Sequence, residues 1–163
     1  MRALPKTLAL LALTLLSACR PNAPADDHAV EMRAPSRPHI RFQAAGEGDV
    51  ATQVQSFVRA AHAEGRTPLV YVGATWCEPC RYFHDAAERG ELDAEFPPMA
   101  LLEFDQDTDG SRLAAAGYGS RLIPLFVVPA EDGRGGSQRI EGSIHGPGSP
   151  AQIAPRLRAI LPH

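Results

Sequence analysis

Two cysteines separated by two residues, Cys77 and Cys80, are the residues of this sequence best suited to chemistry. They follow an apolar segment and open a segment of helical pattern, so Cys77 would stand at a helix N-terminus. There the helix N–H groups and macrodipole stabilise an anion, which favours the thiolate that attacks disulfides. Cys80, one turn further on and more shielded, could then attack Cys77 and release a bound thiol. Pro79 is tolerated in the first helical turn and stiffens it.

Other interpretations of the cysteine pair are a structural disulfide and half of a zinc site. A zinc site would need two further ligands, which would have to come from histidines. Covalent haem attachment requires a histidine directly after the second cysteine, and Arg81 stands there. We therefore expect redox chemistry carried by the dithiol itself, with no cofactor and no metal.

The segment from Trp76 to Cys80, WCEPC, resembles the WCxPC active site of the thioredoxin-like superfamily. A second segment, YGSRLIP at residues 118–124, is similar to the one that ends in the family's cis-proline. The resemblance implies a thioredoxin fold in which Pro124 is cis and lies against the cysteines. It also implies that Trp76 shields the site and that the backbone of Ile123 pairs with an extended substrate strand. A purely packing role is the alternative for Trp76.

Two positions depart from the pattern of reducing thioredoxins. Tyr71 stands where they place a buried aspartate, six residues before the first cysteine, and Glu78-Pro79 replaces their Gly-Pro dipeptide. With Glu78 the chain is similar to membrane-tethered extracytoplasmic thioredoxins, including those that reduce apocytochrome c. A carboxylate beside Cys77 disfavours its thiolate and so makes the dithiol more reducing. We expect a reductase of protein disulfides in which Glu78 tunes the site or transfers protons, whereas Tyr71 has a packing role.

The N-terminus has the pattern of an export signal. Arg2 and Lys6 precede an apolar run at residues 8–16, which is too short to remain in a bilayer. The run ends in LSAC at residues 16–19, which resembles the lipobox of bacterial lipoproteins. The resemblance implies cleavage before Cys19 and lipidation of Cys19, whose acyl chains would hold the protein at a membrane surface. An ordinary secretory signal is the alternative.

Composition after the signal predicts a tether and one folded domain. Residues 19–38 are rich in Pro, Ala and charged side chains and have no apolar period, which is typical of a flexible linker. Residues 39–163 are long enough for a single core and form the expected thioredoxin-like domain. We therefore divide the chain into a signal peptide at 1–18, a tether at 19–38 and a domain at 39–163.

Strand-like and helix-like segments alternate within this domain. Their order predicts an α/β fold with a central mixed sheet of four to five strands and helices on both faces. Gly119 is expected to take the left-handed position at the end of the third helix. Strands are predicted at residues 39–43, 68–73, 100–105, 124–128 and 138–141, and helices at 49–64, 78–89, 111–118 and 150–161.

The composition limits the possible partners. With 44% hydrophobic residues and a net charge of −3, the chain is neither disordered nor suited to binding nucleic acid. Lys6 is the only lysine and lies in the signal, so Schiff-base and P-loop chemistry are excluded from the mature protein. The expected location is the bacterial cell envelope, facing the periplasm or extracytoplasmic space. A reductase there requires a membrane electron donor besides its protein disulfide substrates.

Metal binding and a purely structural role are the competing hypotheses. A copper carrier on the same fold could use Cys77, Cys80 and His84, although such carriers commonly space their cysteines by three residues. His62 and His145 show no pattern that suggests a partner. A structural lipoprotein whose disulfide never turns over is the other alternative.

A calcium site is the weaker hypothesis for a run of acidic residues. The stretch from Asp105 to Gly110 matches the first half of a calcium loop, D-x-D-x-D-G, but Ala116 replaces the glutamate needed at its twelfth position. The run also falls at a strand-to-helix turn, where Asp107 or Asp109 can cap the next helix.

Overall fold

The computed structural model of the chain describes residues 39–162. The predicted signal peptide, the tether and Cys19 lie outside these residues. None of the helices in these residues could span a lipid bilayer. The elements are β1 (Ile40–Ala44), α1 (Val50–Ala63), β2 (Thr67–Gly73), α2 (Glu78–Glu88), β3 (Met99–Asp105), α3 (Gln106–Ala115), β4 (Leu125–Pro129), β5 (Gly135–Glu141) and α4 (Ser149–Ile160).

The strands form one mixed five-stranded sheet in the order β1-β3-β2-β4-β5. β3 pairs in parallel with both β1 and β2, whereas β4 is antiparallel to both β2 and β5. The predicted α/β fold with a mixed sheet is therefore confirmed, and the architecture is consistent with a thioredoxin fold.

Alternate residues of β2 enter two separate cores. Leu69 and Tyr71 pack with side chains from α2 and α4 on one face of the sheet. Val70 and Val72 pack with α1 and α3 on the other face. Burial on both sides explains why this strand is continuously apolar rather than alternating. The expected placement of helices on both faces is confirmed.

Helix α3 begins at Gln106, earlier than the predicted start at Ser111. Asp105 is its N-cap, because its carboxylate accepts hydrogen bonds from the backbone N–H groups of Asp107 and Thr108. The predicted capping role of Asp107 or Asp109 is therefore wrong. The Asp109 carboxylate instead accepts from the backbone N–H of Asp105 and pairs with a guanidinium. The acidic run thus belongs to a helix start, and its geometry does not favour the calcium hypothesis.

The end of α3 differs from the prediction as well. Gly117, with φ +87°, takes the left-handed conformation that was expected of Gly119. The helix ends at Ala115 with Ala116 as its C-cap, so the glycine that follows the last turn is Gly117. Strand β5 begins at Gly135 rather than Gln138. A Cβ at Gly135 would lie 2.2 Å from the Gly117 carbonyl oxygen, so glycine allows the two segments to approach and extends the strand.

Candidate functional site

The cysteines lie where the chain passes from the central strand into a helix. β2 ends at Gly73 and α2 begins at Glu78, with Cys77 as the helix N-cap. Cys77 and Cys80 form a disulfide, and the Cys77 sulfur accepts a hydrogen bond of 3.3 Å from the backbone N–H of Cys80. In the reduced protein the same N–H group and the helix macrodipole would stabilise a thiolate at Cys77. The position therefore suits the predicted nucleophile.

The two cysteines differ in their surroundings and not in their exposure. Cys77 is 4% exposed and Cys80 is 3% exposed, so the expected stronger shielding of Cys80 is not seen. Cys77 lines a cavity of about 500 Å³, here called the Cys77 groove. Cys80 lines a different cavity of about 910 Å³, here called the Cys80 cavity. Each end of the disulfide is thus adjacent to its own opening in the surface.

The Ile123–Pro124 segment lies at the Cys77 groove, which Ile123 lines. Its peptide bond is cis, as the resemblance implied. Val72 pairs with Leu125 in the antiparallel register of β2 and β4. This places Pro124 beside the end of β2, where the segment that leads to Cys77 begins. Ile123 lines the groove, and its backbone N–H and carbonyl make no hydrogen bond within residues 39–162. These backbone groups are available to an incoming strand.

Exposed apolar side chains surround this groove. Trp76, Leu122 and Ile144 are 65%, 60% and 52% exposed, and all three line the Cys77 groove. Large apolar side chains clustered at one exposed place mark a surface for interaction. The Trp76 indole N–H donates to the Asp107 carboxylate at 2.8 Å, which holds the ring at the rim. Trp76 is thus not a core residue, and its shielding role stays a prediction.

Glu78 lies at the same rim and has a partner that the sequence did not indicate. Its carboxylate is 2.8 Å from the His145 Nδ1, and the two residues are 67 positions apart. The hydrogen bond from His145 lowers the pKa of Glu78, assisted by the backbone N–H of Gly146 and the positive charge of Arg81, against a smaller effect of burial. Glu78 is therefore ionised at neutral pH.

Three side chains that bear on the chemistry of the site line the Cys80 cavity: Tyr71, His84 and Glu103. Tyr71 is fully buried, and its hydroxyl has no hydrogen-bond partner in the described part of the chain. Burial, and to a lesser degree the negative charge of Glu103, raises the pKa of Tyr71 far above its ordinary value. His84 stacks on Phe42 with ring centroids 3.6 Å apart, and its Nε2 is 2.7 Å from the Glu103 carboxylate. His84 is therefore a half-buried and partnered residue.

The geometry gives no support to the metal hypotheses. No group of three or more His, Cys, Asp or Glu side chains within residues 39–162 is arranged to hold a metal ion. Cys77 and Cys80 are bonded to each other, and His84 is hydrogen-bonded to Glu103. The site is compatible with dithiol–disulfide chemistry.

Replacing His145 with alanine should raise the pKa of Glu78 towards its ordinary value of 4.5, because the main hydrogen bond to the carboxylate is lost. Titration of the Glu78 carboxyl carbon by NMR measures this. Since the folded-state pKa is lowered, the pair stabilises the protein above pH 4.5 and this stabilisation disappears as pH falls through the folded-state pKa. A His62→Ala variant should leave the Glu78 titration unchanged. An unchanged pKa in His145→Ala would show that the pair does not form in solution.

The comparison with known proteins found neither a matching family nor a related sequence. No protein-family model matches the chain, and no curated protein is significantly similar in sequence. The likeness to thioredoxin-like proteins is therefore carried by the fold, the Cys77–Cys80 disulfide at a helix start and the cis Pro124 beside it.

Proposed function

We propose that this protein is an extracytoplasmic thiol–disulfide oxidoreductase that reduces disulfides in other proteins through Cys77 and Cys80. The observation that carries the proposal is the disulfide at the N-terminus of α2, bordered on the Cys77 side by a groove with exposed apolar walls. A disulfide that only stabilised the fold would not require such a groove beside one of its sulfurs.

The proposed reaction transfers two electrons from the dithiol to the substrate. The Cys77 thiolate attacks one sulfur of the substrate disulfide, and the other substrate sulfur leaves and takes a proton from solvent. Cys80 then loses its proton and attacks the Cys77 sulfur, which releases the second substrate thiol. The Cys77–Cys80 disulfide that remains must be reduced again by a dithiol donor at the membrane.

The Cys77 groove suits an extended segment of a partly unfolded protein. The free backbone groups of Ile123 can pair with the main chain of the substrate without regard to its sequence. Trp76, Leu122 and Ile144 offer apolar contacts along the same opening. We propose that the substrates present a cysteine in an accessible segment with neighbouring apolar side chains.

We further propose that Cys19 carries the lipid anchor and that the domain faces the periplasm or extracytoplasmic space. The proposal is supported by LSAC at residues 16–19, by the preceding apolar run and by the linker-like composition of residues 19–38. A tether of this kind would keep the domain close to a membrane-bound electron donor while it reaches substrates around it.

A Cys80→Ser variant should accumulate mixed disulfides with its substrates, because the attack that releases them is removed. Denaturing gels without reductant detect these adducts, and mass spectrometry identifies the trapped proteins. The wild type should also reduce insulin in the presence of dithiothreitol, whereas Cys77→Ser should lose this activity. A wild type that is inactive towards insulin and a Cys80→Ser variant without adducts would indicate a structural disulfide.

A Glu78→Gln variant should have a less negative reduction potential, because removing the negative charge stabilises the Cys77 thiolate and so the reduced form. The expected shift is small, because solvent screens the charge of the Glu78 carboxylate at the rim of the groove. Equilibration with glutathione at pH 7 measures both potentials. A wild-type value near about −120 mV, the strongly oxidising end of the range, would contradict the reductase direction.

A Cys19→Ser variant, expressed with its own signal in bacteria, should lose both incorporation of labelled palmitate and sedimentation with membranes. The acyl chains supply the membrane affinity, and serine offers no thiol for their attachment. A Cys77→Ser variant is the matched control and should retain the label. Labelling of Cys19→Ser, or an unlabelled wild type, would contradict the lipid anchor.

A further inference from the structure

The second step of the proposed reaction needs a base near Cys80. Only the thiolate is nucleophilic, and a buried thiol with no base beside it stays protonated and inert. Cys80 is 3% exposed, and it lines the Cys80 cavity rather than the Cys77 groove. The proton therefore has to leave into the Cys80 cavity.

The walls of this cavity offer few groups that can accept a proton. Arginines cannot, and the buried Tyr71 hydroxyl stays protonated because its pKa is raised. Asp105 caps α3 and Asp109 is paired with Arg112. Glu47 lies outside the strands and helices, on the segment between β1 and α1. The charged and titratable residues lining the cavity besides Cys80 are Glu47, Tyr71, Arg81, His84, Glu103, Asp105, Asp109 and Arg112.

His84 has the geometry of an oriented base. It lies one helical turn after Cys80 on α2, so the two side chains share a face of the helix. The His84 imidazole stacks on the Phe42 ring. The Tyr71 ring meets the imidazole edge-on, with centroids 5.4 Å apart. With Nε2–H assigned as donor to Glu103, Nδ1 is the nitrogen that can accept a proton. Nδ1 has no hydrogen-bond partner within the described residues.

Glu103 reaches His84 from the neighbouring strand. It pairs with Tyr71 in the parallel register of β2 and β3, so both side chains enter the cavity from the same face of the sheet. Its carboxylate accepts the Nε2 proton at 2.7 Å, which fixes the tautomer and would stabilise the imidazolium that forms when Nδ1 is protonated. A base held by a carboxylate next to a sulfur nucleophile is a known arrangement for activating thiols.

We propose that His84 is the base that takes the proton from Cys80 when the mixed disulfide is resolved, and that Glu103 is the positioning residue that orients His84. This inference rests on the proposed function. The Cys80 proton moves to His84 Nδ1, the Cys80 sulfur bonds to the Cys77 sulfur, and the substrate sulfur leaves with the electron pair of the broken bond. The imidazolium afterwards returns its proton to solvent through the open cavity.

A stopped-flow experiment on the reduced protein can isolate this step. The probe is a small aromatic disulfide whose thiolate is coloured when released. The first thiolate leaves when Cys77 attacks, at a rate proportional to the probe concentration. The second leaves when Cys80 attacks, at a rate independent of that concentration. The rate of the second phase between pH 5 and about pH 9.5, where a free thiol is largely ionised, reports the ionisation of Cys80.

His84→Gln should slow the second phase at pH 7 by about tenfold or more, since a general base contributes about 10²–10⁴-fold. Its deficit relative to the wild type should shrink as the pH rises, because hydroxide increasingly takes the proton that His84 would accept. Glu103→Gln should cause a smaller loss and a displaced pH profile. The first phase should be unchanged in both variants. Glu88→Gln, which changes an exposed carboxylate on the same helix, should behave as the wild type.

Other outcomes separate this inference from the proposed function. If His84→Gln keeps the second-phase rate and pH profile of the wild type, His84 is not the base. A loss in Glu103→Gln without one in His84→Gln would also overturn the proposal. If His84→Gln does not fold, His84→Phe, which keeps an aromatic ring on Phe42, should show the same slow second phase. A wild type that releases no second thiolate would instead contradict the function proposed for Cys77 and Cys80.

Discussion

The pairing of β2 with both β3 and β4 holds the cysteines in place. Because β2 is buried on both faces and bonded along both edges, the point at which it ends, Gly73, cannot shift without disturbing two cores. Only residues 74–76 separate Gly73 from Cys77, which is the N-cap of α2. Pro124, at the start of the neighbouring strand, is placed beside the same point. The position of Cys77 is thus a consequence of burial in the sheet.

The disulfide lies between two openings with different chemistry. The Cys77 groove has exposed apolar walls and free backbone groups, which suit contact with a protein segment. The Cys80 cavity has titratable walls, including the His84–Glu103 pair, which suit the movement of a proton. Contact with substrate and loss of a proton would therefore take place at two different openings beside one bond, so neither has to displace the other.

Local patterns in the sequence predicted the parts of the structure that local forces decide. The alternation of strand-like and helix-like segments predicted the α/β fold, whereas the cis bond was implied by the resemblance of the segment that ends in Pro124 to the thioredoxin-like family. The pairs Glu78–His145 and His84–Glu103 were not predictable, because their partners meet only through the packing of separate elements. The predicted start of α3 was wrong because several aspartates in this run could cap a helix. In the structure the N-cap is Asp105, the last residue of β3.

Trp76 is an intrinsic fluorescent probe of the site. It is the only tryptophan in the chain, it adjoins Cys77 directly, and its ring stands largely in solvent at the rim of the groove. Indole emission depends on the polarity around the ring and is quenched by a nearby disulfide. Occupation of the groove and opening of the Cys77–Cys80 bond should therefore each change the fluorescence of the unlabelled protein. Binding and electron transfer could be followed on the same molecule in real time.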